Sequence, residues 1–132
     1  MTRQPQSSPP RVLVVDDEPH QVETICRGLK INGFECVGLT RSDDALRMLD
    51  TDEWEQLDIL LTDLSMPGTS GVELIEQVLA KRPGFPIVVI TGLAPCKETD
   101  TLSRRGILSL SKPFEPDELI RTLNRCLHPD SP

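Results

Sequence analysis

A basic excess is missing from this sequence: 14 lysines and arginines face 21 aspartates and glutamates, a net charge of -7. That excludes nucleic acid as the main partner, because neutralising phosphates needs a basic face. No apolar stretch approaches the roughly 20 residues of a spanning helix, and MTRQPQSSPPR at the N-terminus lacks the apolar core of a signal peptide. A cytoplasmic protein without membrane contact is expected. The four cysteines, Cys26, Cys36, Cys96 and Cys126, form no C-x-x-C pair, and neither histidine, His20 or His128, has useful spacing to any of them. They read as reduced thiols serving as small apolar side chains. Two phosphate cradles are also absent, G-x-x-x-x-G-K-[ST] and a G-x-G-x-x-G turn after a strand. No nucleotide-binding loop is therefore expected.

What is present fits one folded domain. The chain has 132 residues, 37% hydrophobic and 27% charged, enough for a single core and too little for two. Residues 1–10 hold three prolines and no apolar period and read as a flexible tail, residues 11–127 as the domain, and residues 128–132 as a second loose end with no room for an attached effector domain.

Between the tails, short apolar runs alternate with helical patterns. RVLVV reads as a strand, and Val22, Ile25, Cys26 and Leu29 then recur at helical spacing up to Asn32-Gly33. ECVGLT is a weaker strand, followed by Ser42 as N-cap of a helix carrying Ala45, Leu46, Met48 and Leu49. The acidic stretch 50–55 reads as solvated, with Trp54 a partly buried packing anchor. LDILLT is the third strand, and Ser70 with Glu73 makes an S-x-x-E capping signature before Val72, Leu74, Ile75, Val78 and Leu79. FPIVVIT is the fourth strand. The helix after it is the poorest pattern, with Pro95 opening it late. ILSLS is the fifth strand, and Leu119, Ile120, Leu123, Cys126 and Leu127 mark a terminal helix. Five β-α units with near-continuous apolar strands imply an α/β class, a single doubly wound parallel sheet covered on both faces. Such sheets bind ligands at the carboxyl ends of their strands.

The polar residues collect at those ends. Asp16 and Asp17 follow the first strand, Asp63 the third, Thr91 closes the fourth and Lys112 follows the fifth. Three carboxylates held together need more compensation than one lysine supplies. An oxygen-only ligand set without histidine or cysteine points to Mg²⁺, and Mg²⁺ in turn favours phosphate chemistry. Asp63, alone at its strand end before the open turn LSMPGTSG, is the candidate nucleophile.

The ordered set VVDDE, LLTDLSMPGTSG, VVITG and LSKPF, across residues 11–127, closely resembles the response-regulator receiver domain. The resemblance implies a flavodoxin-like sheet of order 2-1-3-4-5. It makes Asp63 the phosphoacceptor of a two-component phosphorelay, charged from a phosphohistidine on a sensor histidine kinase or phosphotransfer protein. It assigns Mg²⁺ to Asp16, Asp17, Asp63 and the Ser65 backbone carbonyl, and assigns Lys112 and Thr91 to the phosphoryl oxygens. It also implies a cis bond before Pro113, an output partner that the residues do not name, and a homodimer contact on the face of the fourth helix, fifth strand and fifth helix.

One departure stands out. Three residues before the lysine the family carries Tyr or Phe, and this chain has Ser109 and no tyrosine anywhere. A receiver-fold interaction domain that no longer cycles through phosphate is therefore the alternative reading. A phosphatase is disfavoured, since Ser65 stands where that chemistry wants a second carboxylate, two residues past the nucleophile. The expected activity is Mg²⁺-dependent self-phosphorylation and dephosphorylation at Asp63 only, not that of an enzyme with a separate substrate.

Overall fold

The computed structural model describes residues 9–64, 71–92 and 97–128, with 97–100 described by backbone alone. Strands and helices alternate as β1 (Arg11–Val15), α1 (Pro19–Ile31), β2 (Glu35–Leu39), α2 (Ser42–Met48), β3 (Ile59–Asp63), α3 (Gly71–Lys81), β4 (Ile87–Thr91), α4 (Lys97–Arg104), β5 (Leu108–Ser111) and α5 (Pro116–Leu127). A short 3-10 helix, Asp52–Gln56, precedes β3. The five strands pair in parallel in the order β2-β1-β3-β4-β5. The doubly wound sheet of order 2-1-3-4-5 is thus found as expected.

Strand alternation decides which helix each residue meets. On β1, Val12 and Val14 face Val22, Ile25 and Leu29 of α1 and Leu119 and Leu123 of α5. Leu13 and Val15 face the other layer, with Ala45 of α2, Leu74, Ile75 and Val78 of α3 and Leu102 of α4. β3 and β4 are buried throughout because both of their faces are covered. Punctuation follows local chemistry. Pro19 opens α1, where its missing N–H costs nothing. The chain then leaves α1 through Asn32 and Gly33, the latter at φ +88°, a conformation that glycine adopts without strain.

Three expectations need correction or completion. Ser42 is the first residue of α2, buried, and Arg41 occupies the cap position instead. Trp54 is buried rather than partly exposed, its ring 4.7 Å from that of Phe85; the acidic 3-10 turn supplies one apolar anchor while its carboxylates face water. Cys26 and Cys36 are not free thiols but a disulfide. The reason lies in register. A crossover helix runs antiparallel to its strands, so a four-residue step on α1 (about 6 Å) matches a two-residue step on β2 (about 6.6 Å). Val22 packs directly on Gly38, which sets Cys26 opposite Cys36 with 5.6 Å between Cα atoms, within the range a disulfide spans. The Ser70 capping signature and residues 1–8 and 129–132 of the two expected tails lie outside the described residues. α4 begins at Lys97, two residues past Pro95.

Candidate functional site

Asp63 is the last residue of β3 and only 6% exposed. Its backbone is braced by α3, which starts against the strand end: Gly71 donates its backbone N–H to the Leu64 carbonyl at 3.2 Å. A Cβ on Gly71 would overlap the Asp63 carbonyl and Leu64 Cα. Any side chain at 71 would push the helix from the strand. The residue belongs to the positioning of the site, and the sequence signals it only as one glycine in a turn.

Asp16 follows β1 and is fully buried, while its neighbour Asp17 is exposed. The Glu18 backbone N–H donates to Asp16 Oδ1 at 3.0 Å, fixing the carboxyl plane. Oδ2 is buried without a hydrogen-bond partner among the described residues, and Lys112 Nζ stands 3.5 Å from it in a loose ion pair. Because β1 and β3 are adjacent, single carboxylate oxygens of Asp16, Asp17 and Asp63 all lie within 4.8 Å of one another. These two strands also mark the point where strand order reverses.

Lys112 supplies the opposing charge. Its Nζ donates to Asp63 Oδ2 at 3.1 Å, and its backbone N–H donates to the Thr91 carbonyl at 2.7 Å, tying the end of β5 to the end of β4. The Lys112–Pro113 bond is cis, as the resemblance implied. Thr91 closes β4 and is buried one step beyond Ile90, the register partner of Asp63. Among the described residues, a Cβ on Gly92 would meet the flexible Lys112 chain alone, at 3.9 Å.

Electrostatics follow from burial. Burial drives the Asp16 pKa above its usual value, with the Asp63 charge adding to the effect and the Glu18 N–H and Lys112 partly offsetting it. For Lys112, burial disfavours the charge, but the hydrogen bond to Asp63 and the Asp63 and Asp16 charges together outweigh it and raise the pKa. Carboxylate charge exceeds what one ammonium balances. Of the residues expected in the site, Asp16, Asp17, Asp63, Thr91 and Lys112 meet at this edge; Ser65 lies outside the described residues.

Residues 12–124 match the family described as the response regulator receiver domain. The chain belongs to that family. Solved receiver domains superpose closely: one from Clostridium thermocellum (TM-score 0.84, 25% identity, covering 91% of this chain and 95% of that one) and one from Pseudomonas putida (0.80, 29%, 90% and 98%). Among curated relatives, the chain is 32% identical over 127 residues to the phosphate regulon transcriptional regulatory protein PhoB of Escherichia coli, covering 92% of this chain and 53% of PhoB. It is 32% identical over 119 residues to the C4-dicarboxylate transport regulator DctD of Pseudomonas aeruginosa, covering 89% of this chain and 25% of DctD. The receiver domain therefore spans a quarter to a half of these relatives. It is a signalling domain of two-component response regulators rather than an enzyme in the ordinary sense. No helix among the described residues is long and apolar enough to cross a membrane.

Proposed function

We propose that residues 11–127 act as a phosphoacceptor receiver, taking a phosphoryl group from a phosphohistidine onto Asp63. The observation that carries this reading is the convergence of Asp16, Asp17 and Asp63 within 4.8 Å beside Lys112 at the strand-end edge. The residues fit Mg²⁺. All three side chains offer hard oxygen ligands, and Asp16 Oδ2 is a buried oxygen without a hydrogen-bond partner among the described residues. Asp16, Asp17 and Asp63 would hold the ion, with the Ser65 carbonyl as a fourth protein ligand. Bound there, Mg²⁺ would neutralise charge on the phosphoryl oxygens.

In the transfer, an Asp63 oxygen forms a bond to phosphorus while the P–N bond of the donor breaks and the imidazole leaves with the electron pair. Phosphoryl transfer needs positioning and charge neutralisation more than covalent help from the protein. Gly71 and the buried β3 hold Asp63 still. Lys112 passes from the Asp63 carboxylate to the phosphoryl oxygens, and the Thr91 hydroxyl moves to bond them. The response is a population shift at β4, α4 and β5, acting on an output partner or on a second copy through the α4-β5-α5 face. A cytoplasmic location suits this donor.

Ser109 favours a second reading, an interaction domain that keeps the fold without cycling. It is exposed on β5, opposite Val89, where the family's aromatic would report phosphorylation. Incubation with Mg²⁺ and a small acyl phosphate separates the two readings. The receiver reading predicts gain of one phosphoryl group by intact mass, lost with EDTA and in Asp63→Asn. No gain in the wild type would leave the non-cycling reading standing.

A further inference from the structure

α1 meets the edge strand β2 at two stacked contacts. Val22 packs on Gly38, whose missing side chain lets the helix approach so closely that a Cβ there would overlap Val22 and crowd Cys26 Sγ at 3.3 Å. Cys26 and Cys36 face each other one step along, 5.6 Å apart at Cα and linked. Both residues are only half-buried, at the border of the apolar cluster beneath α1 and α5. The pair is thus neither sealed in the core nor fully exposed. Disulfides that keep contact with solvent are more readily reduced than sealed ones, and in a cytoplasm disulfides that form tend to be transient. Cys126 stays apart, half-buried on α5 with its Sγ 3.7 Å from the Ile87 carbonyl oxygen.

We propose that Cys26 and Cys36 form a reversible thiol–disulfide site whose co-reactants are low-molecular-weight disulfides such as oxidised glutathione. One cysteine thiolate attacks a sulfur of the small disulfide, forming a mixed disulfide and releasing one small thiol. The second cysteine attacks that mixed disulfide, closing the Cys26–Cys36 bond and releasing another. Two electrons pass from the cysteine pair to the oxidant, and the two cysteine protons end on the two released thiols or in solvent. Oxidised, the pair fastens α1 to β2. Reduced, it leaves α1 held by non-covalent packing, chiefly of its buried residues Val22, Ile25 and Leu29. α1 begins three residues after Asp16 and forms one wall of a groove of about 440 Å³ that runs past Gln21, Thr24 and Ile25 to Lys112 and Phe114. The redox state of the pair thus sets how firmly that wall is held. The site does not depend on the phosphoacceptor reading.

The test equilibrates the full chain across a series of reduced-to-oxidised glutathione ratios, quenches in denaturing alkylating reagent and counts adducts by intact mass. With four cysteines in the chain and one pair linked, the count moves from four adducts to two as the ratio becomes oxidising. Peptide mapping then finds Cys26 joined to Cys36. In the Cys96→Ser/Cys126→Ser variant the count moves from two to zero. Reduction lowers Tm by roughly 5–15 °C, as expected for opening a loop of this length, and hydrogen exchange quickens in α1. Four adducts at every ratio, two adducts at every ratio, or mapping to Cys96 or Cys126 would each overturn the proposal. Should the double variant fail to fold, the wild-type mapping decides between the same outcomes.

Discussion

At the residue scale, the informative group is Asp16, a buried carboxylate with one oxygen lacking a hydrogen-bond partner among the described residues. Its raised pKa means that the metal-free folded state binds more protons than the unfolded chain once pH passes the ordinary carboxylate range. Stability of the metal-free protein should therefore fall as pH rises through that range and on through the raised value. Asp16→Asn, which removes the buried charge, should stabilise the metal-free protein by about 1–3 kcal/mol at neutral pH, flatten that pH dependence and abolish any rise in Tm on adding Mg²⁺. Urea titrations across a pH series measure the first two, and thermal melts with and without Mg²⁺ the third. Residue identities at this edge were readable from sequence because each stands at the end of an apolar run; a strand end needs no tertiary information. The disulfide was not readable that way. Its partners lie 10 residues apart with no motif, and only the pairing of a four-residue helical step with a two-residue strand step brings them together.

At the element scale, the site depends on how closely α3 abuts β3. Gly71→Ala places a methyl group against the Asp63 carbonyl, and the backbone there must shift. We expect a loss of about 1–3 kcal/mol, the usual cost of overpacking, together with slower phosphorylation at saturating acyl phosphate. Gly92→Ala, whose methyl among the described residues meets the flexible Lys112 chain alone, should change stability by less than about 0.5 kcal/mol. The 3-10 turn offers a second check. Trp54→Ala removes the tilted ring contact with Phe85 and should cost about 3–5 kcal/mol, seen as a lower urea midpoint. Both were partly hidden in the sequence. One glycine in a turn does not say which backbone it admits, and an acidic stretch does not reveal that its single aromatic turns inward.

At the scale of the whole molecule, the parallel sheet is what makes a site out of residues 96 positions apart. Asp16 and Lys112 meet because β1 and β5 point the same way and their carboxyl ends share one edge. An ion held by Asp16, Asp17 and Asp63 ties β1 to β3, so Mg²⁺ at about 100 times its dissociation constant should raise folding stability by about 2.7 kcal/mol. The sole tryptophan, buried against Phe85, provides the optical signal. The central claim is that this edge accepts a phosphoryl group on Asp63 and reports it through β4, α4 and β5 without an aromatic at position 109. Amide NMR of the protein with Mg²⁺, before and after adding beryllofluoride, tests that most directly. The account predicts shifts at Asp63, Thr91 and Lys112 that extend along β5 to Ser109 and into α4, all lost in Asp63→Asn. An unchanged spectrum in the wild type would contradict it.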